Sequence, residues 1–322
     1  MPVYAANDLP ETVARTTMDP EIAEWLKTGP VLGGPEPFYK QRRAHDAFID
    51  ADKPPIGKIE HLGLRGPHGT VPVRVYHPSK PGPAEGAALV YLHGGGFVVG
   101  SLDQFETAMR HLSEGSGAQV YCVDYKLAPE YQWPVQIDEN EFVVRWLFEH
   151  AAERGVDPAR IALGGDSAGG NMTCTISLRL RDTGGPRLAL QVPLYPETAL
   201  PFDTKAGIEN RTGAYVDTAG VHQFLWHLLP HDADYTQPYV TPVNAESHAD
   251  LPPALLVTCG FDMLRDVGHT YARKLAAAGN DLTYVHHPDL PHGFIQMTAH
   301  SRRCLAATEE LARLLGDALR SA

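Results

Sequence analysis

Ser167 stands in the run Gly165-Asp166-Ser167-Ala168-Gly169, directly after the apolar stretch that begins at Ile161 and directly before a helix-forming one. A serine hydroxyl is a weak nucleophile unless it projects beside a base, and a sharp strand-to-helix turn makes it project. Gly165 and Gly169 lie two residues to either side, where side chains would collide with the adjoining strand and helix. The opening helix aims its first amides at whatever the serine attacks, so the chemistry such a turn supports is acyl transfer.

A second motif supplies the other half of that chemistry. His93-Gly-Gly-Gly-Phe97 follows the apolar run Ala87–Leu92, and three glycines after a strand let the main chain turn its amides towards an empty space, where they can hold an oxyanion. The amide of the residue after the nucleophile, here Ala168, is the complementary donor. His93 reads as an anchor of this loop rather than as a base. The carboxylate and the base should follow the serine in chain order, each on a loop after a later strand. Leu255–Gly260 is an apolar strand that delivers Asp262, and a strand at 282–287 delivers Pro288-Asp-Leu-Pro-His-Gly-Phe294. Asp262 is nearest its strand end, whereas Asp266, one turn further and beside Arg265, reads as a cap or ion-pair partner in the next helix. Among sixteen histidines, His292 alone sits in a glycine-flanked loop after the last expected strand.

The elements that must position these residues alternate from about residue 57 onward, short β-branched runs with helical patterns, as strands linked by crossover helices do. Strands are expected at 59–64, 71–77, 87–92, 118–123, 161–164, 188–194, 254–259 and 282–287, the first two forming an edge hairpin around Gly66-Pro67-His68-Gly69. The fold class is therefore α/β, a mostly parallel eight-stranded sheet with flanking helices. Two pieces stand outside the alternation: residues 1–55, with helical patterns near Pro20–Lys27 and Pro37–Ile49, and residues 198–232, with Phe202, Tyr215, Phe224 and Trp226. We read them as two cap segments, the second inserted into a catalytic domain spanning 56–322, with Phe202, Phe224 and Trp226 covering the site.

Composition excludes several functions. A chain of 322 residues with 43% hydrophobic content folds as a globular protein, and no apolar run approaches the length of a membrane span. The start of the chain lacks the basic and apolar regions of a secretory signal. A formal charge of −12, with scattered lysines and arginines, argues against nucleic acid and anionic membranes as partners. The four cysteines, widely spaced, read as buried free thiols in a reducing cytoplasm. His286, His287, Asp289 and His292 lack the spacing of a metal site, and the glycine patterns match neither a dinucleotide nor a phosphate loop. Asp103 reads as a helix cap, and Asp124 and Glu130 as internal anchors of their loop.

With His93-Gly94-Gly95-Gly96, Gly165-Asp-Ser-Ala-Gly-Gly170, Asp262 and His292-Gly-Phe294 assembled, the chain resembles the bacterial hormone-sensitive-lipase-like esterases of the α/β-hydrolase superfamily. The resemblance runs from about residue 60 to 300 and includes Asp124-Tyr-Lys-Leu-Ala-Pro-Glu130, where the family usually has arginine at Lys126, and Leu251-Pro-Pro-Ala254. It departs at Met263, where the family has proline after the acid. It implies a serine carboxylesterase for short- to medium-chain acyl esters, with Ser167, Asp262 and His292 as the triad, Gly94, Gly95 and Ala168 as oxyanion donors, and no cofactor. An amidase or peptidase using the same triad is the alternative reading, and a non-catalytic ligand receptor on the same scaffold a remote one. The strand 282–287, last in chain order, offers a sheet edge for a symmetric homodimer of the kind relatives form, unless His286, His287 and Pro288 blunt it and leave a monomer.

Overall fold

A computed structural model describes residues 3–33 and 36–320. Its strands are β1 (Val3–Ala5), β2 (Lys58–Gly66), β3 (Gly69–His77), β4 (Ala88–Leu92), β5 (Gln119–Val123), β6 (Ile161–Asp166), β7 (Leu190–Leu194), β8 (Ala254–Phe261) and β9 (Leu282–Pro291). They form one sheet in the order β1-β9-β8-β7-β6-β4-β5-β3-β2. Strands β4 to β9 run parallel, and every residue of β4, β6 and β7 is buried, as a sheet covered on both faces requires. The β2–β3 hairpin and its pairing with β5 are antiparallel.

The helices are α1 (Pro20–Trp25), α2 (Phe38–His45), α3 (Leu102–Ser116), α4 (Val135–Glu149), α5 (Ala168–Asp182), α6 (Lys205–Glu209), α7 (Thr218–Leu228), α8 (Arg265–Ala277) and α9 (Arg302–Arg320). Four of them, α3, α4, α5 and α8, are the crossovers that return the chain to the start of the next parallel strand, and α9 packs against α3. Because all the parallel strands point one way, their C-terminal ends and the loops after them meet on one side of the sheet, where ligands bind in such folds. Among the described residues no helix is long and apolar enough to cross a membrane.

The sheet has a ninth strand that periodicity misses, because Val3-Tyr-Ala5 is too short to show alternation. It pairs antiparallel with β9 through Val3–Val285, Tyr4–Tyr284 and Ala5–Thr283. The strand 282–287 is therefore not an edge, and the homodimer route through it is blocked along Thr283–Val285 by the chain's own N-terminal segment. Two smaller readings also change. Ser101, not Asp103, caps α3 through a bond from Gln104 N, and Asp103 instead pairs with Arg74 at 2.8 Å. Glu130 reaches outside its loop to the Arg42 guanidinium of α2, at 2.8 Å to each carboxylate oxygen. Of the two roles expected for Asp266, it takes the ion pair: its carboxylate accepts from Arg265 Nε at 2.9 Å, and from Ala206 N at 2.8 Å, tying α8 to α6.

The two pieces outside the alternation meet each other. Leu32 N donates to Tyr215 O at 2.7 Å and Asp217 N to Leu32 O at 2.9 Å, a one-residue parallel bridge that joins the N-terminal segment to the segment carrying α6 and α7. Tyr215 and Phe48 pack edge to face beneath it, with ring centroids 5.3 Å apart.

Candidate active site

Ser167 lies between β6 and α5 with φ 58° and ψ −117°, a conformation costly for a residue with a Cβ and sustained only where neighbours over-determine it. Here they do: Ser167 N donates to Leu194 O at 2.9 Å, and its carbonyl accepts from Asn171 N at 2.9 Å. Close packing forces glycine at position 169, where a Cβ would fall 1.8 Å from Leu92 O. The turn leaves the Ser167 hydroxyl facing the ends of the neighbouring strands.

His292 meets it there. Its Nε2 lies 2.8 Å from Ser167 Oγ, its backbone N donates to Phe261 O at 3.1 Å, and its ring rests against Tyr195 with centroids 4.8 Å apart. On the far side of the imidazole, Nδ1 is 3.0 Å from Asp262 Oδ2, and neither atom makes another hydrogen bond among the described residues. Asp262 is held in turn by Leu264 N, which donates to Oδ1 at 2.8 Å, and by Asn210 Nδ2, which donates to the Asp262 carbonyl at 3.0 Å. Hydroxyl, imidazole and carboxylate thus come from the ends of β6, β9 and β8, in one line.

The oxyanion donors need one correction. Gly94 N donates to Asp166 Oδ1 at 2.8 Å, and the Tyr91 hydroxyl donates to the same oxygen at 2.9 Å, so the Gly94 amide is already used inside the fold. The amides of Gly95, Gly96 and Ala168 make no hydrogen bond among the described residues. Gly95 and Gly96 have φ of 112° and 58°, left-handed backbone that suits glycine, and Gly96 lines the cavity at Ser167 while Gly94 does not. In the sequence the three glycines are indistinguishable; the buried Asp166, which must find donors, is the signal that removes the first. His93 anchors the loop as its position implies, with Nδ1 2.8 Å from Gly94 O and its ring stacked on Tyr125.

Burial tends to lower the pKa of His292, but the charge and hydrogen bond of Asp262, with Asp166 and Glu197 behind them, outweigh it and hold the imidazole above its ordinary 6.5. Burial pushes the Asp166 carboxyl up to about 6 and that of Glu197 to about 7. Glu197 belongs to no motif; the signal for it is a carboxylate placed just after an apolar strand whose end faces the site.

Above the hydroxyl the space is narrow, walled by Leu32, Val216, Val221, Phe224, Met263 and Leu264. Of the aromatic residues expected to cover the site, only Phe224 lines it. Phe202 is buried but stacks on His222 at 5.1 Å, and Trp226 points outward with 62% of its surface exposed. Met263, which replaces the family's proline, contributes a wall. The histidines beside the site are otherwise engaged: His286 contacts Thr258 and Ala14 O, and Arg303 joins His287 to Asp289. Among the described residues no cluster of three or more potential ligands could hold a metal.

A family model described as the alpha/beta hydrolase fold matches residues 89–296. The chain is 37% identical to the esterase LipI of Mycobacterium tuberculosis over 74% of its own length and 75% of the relative's. It is 37% identical to the carboxylesterase NlhH of the same organism over 88% and 91%. The chain belongs to the hormone-sensitive-lipase-like esterases of the α/β-hydrolase superfamily. Among solved structures, the esterase superposes with a TM-score of 0.87 on the ester-hydrolase EH1AB1 from the metagenome of Lake Arreo, complexed with a derivative of bipyridine phosphonate, at 34% identity over 93% of this chain and 98% of that one. Its activity is that of a carboxylesterase.

Proposed function

We propose that this carboxylesterase works through an acyl-enzyme on Ser167. Ser167 Oγ attacks the ester carbonyl carbon while His292 Nε2 takes its proton, and Asp262 holds the imidazole tautomer and balances the positive charge that forms. The carbonyl oxygen, now negative, is received by the amides of Gly95, Gly96 and Ala168; a donor of this kind is typically worth about 3 kcal/mol of barrier. His292 then gives its proton to the departing alcohol oxygen, and later takes one from the water that cleaves the acyl-serine bond. The observation that carries this reading is the 2.8 Å approach of His292 Nε2 to a serine held at φ 58°.

The parts of the segments 1–55 and 198–232 that meet at Leu32 and Val216 act as a two-part cap on a hydrolase domain whose sheet also takes in Val3–Ala5, and the narrow space beneath Phe224 suits short- to medium-chain acyl groups. The four cysteines, all buried and free, suit a reducing cytoplasm. A fluorophosphonate probe followed by peptide mass mapping tests the nucleophile: the adduct belongs on the peptide carrying Ser167, and an adduct confined to any other residue overturns the assignment.

A further inference from the structure

Glu197 lines the cavity that holds Ser167 and His292 and is only 4% exposed. Its main chain is fixed, because Asn171 Nδ2 donates to its carbonyl at 2.6 Å and the adjacent Thr198 hydroxyl bonds Val267 O at 2.8 Å. Its carboxyl, unlike those of Asp166 and Asp262, makes no hydrogen bond among the described residues, although it lies near enough to feel the charge of His292. The hydrolytic cycle needs one acid, and Asp262 fills that role. The apolar side chains of the cavity, Val216, Val221, Phe224, Met263 and Leu264, carry no donor, and the donors that also line it, the Ser167 hydroxyl, His292 and the Gly96 amide, are those the proposed reaction uses. Burying a carboxyl without a partner is unfavourable, and the penalty is relieved when a ligand brings the missing donor.

We propose that Glu197 is a recognition residue for hydroxylated esters, accepting a hydrogen bond from a hydroxyl on the acyl or the alcohol part of the substrate. This rests on the reading that Ser167 is the nucleophile. A site built to bond a substrate hydroxyl discriminates strongly against the analogue that lacks it, so the residue sets substrate class without touching the scissile bond.

The test is kcat/KM on two matched pairs, 4-nitrophenyl 3-hydroxybutyrate against 4-nitrophenyl 3-methylbutyrate, and 2-hydroxyethyl butyrate against propyl butyrate. The wild type should favour the hydroxylated member of at least one pair by about tenfold or more, Glu197→Leu should bring that ratio close to one, and Glu197→Gln, which keeps an acceptor, should retain part of it. No preference in either pair, or a preference that survives in Glu197→Leu, overturns the proposal. Thermal melts run alongside: Glu197→Leu at least as stable as the wild type supports a carboxyl kept for a ligand, whereas loss of the fold in both variants makes Glu197 a structural residue and also overturns it. Loss of all four activities in Ser167→Ala concerns the nucleophile alone; the ratio concerns Glu197.

Discussion

The amide of Gly94 donates to Oδ1 of Asp166 at 2.8 Å, so the residue before the nucleophile fastens the glycine loop that faces it. The Tyr91 hydroxyl bonds the same oxygen, which means that an amide at position 166 can keep both contacts. Asp166→Asn should therefore stay within a few-fold of wild-type kcat, while Asp166→Ala, which frees the loop, should lose on the order of 10- to 100-fold. Equal losses in steady-state assays of the two variants would remove Asp166 from the positioning of the oxyanion donors.

Asp262 and Asp266 lie four residues apart in the chain and do different things. Asp262 faces His292, whereas Asp266 joins Arg265 to the start of α6. Asp262→Asn should lose about 10⁴-fold in kcat with the fold intact, as an amide there favours the wrong imidazole tautomer. Asp266→Asn should lower stability by about 1 kcal/mol and leave kcat nearly unchanged. Denaturant melts and kcat on both variants decide it, and a reversal of the two phenotypes would contradict the assignment.

The roof of the site is Phe224, not Trp226. Phe224→Ala should destabilise the protein by about 3 kcal/mol and raise the rate for octanoyl relative to acetyl esters, because the wall over Ser167 retreats. Trp226→Ala should leave the chain-length profile in place, its side chain being mostly in solvent. Initial rates across a series of 4-nitrophenyl esters from acetyl to decanoyl check both.

With His292 as the proposed base, catalysis needs its neutral imidazole, which burial pulls down but Asp262 holds above 6.5. The rate should rise as pH increases, with a midpoint in kcat/KM above 6.5, and the midpoint should move down in Asp262→Asn if residual activity permits its measurement. In the folded state the raised value also contributes stability that is full below 6.5 and is lost as pH climbs through the folded value. A profile flat from pH 5 to 8 is the contrary result.

How much of this was legible in the sequence follows from the length scale of each signal. Ser167, Asp262 and His292 announce themselves because each ends an apolar run long enough to read as a strand, and strand ends in a parallel sheet converge. Strand β1 carries only three residues, too few for a period of two to be visible, so the edge at 282–287 looked open. The oxyanion loop was readable as a unit, but the choice of Gly95 and Gly96 over Gly94 depends on a contact with Asp166 that lies 72 positions away. Phe202, Phe224 and Trp226 are equal as apolar residues in the segment; which of them faces the cavity depends on how that segment packs on the bridge at Leu32 and Val216.

Replacement of Ser167 by alanine tests the central claim most directly. The variant should fold with a circular dichroism spectrum and melting temperature close to wild type, and its kcat on a soluble butyrate ester should fall by several orders of magnitude, the loss typical when a triad member is removed. Retention of more than a few per cent of wild-type activity in a preparation free of wild-type enzyme would contradict the account.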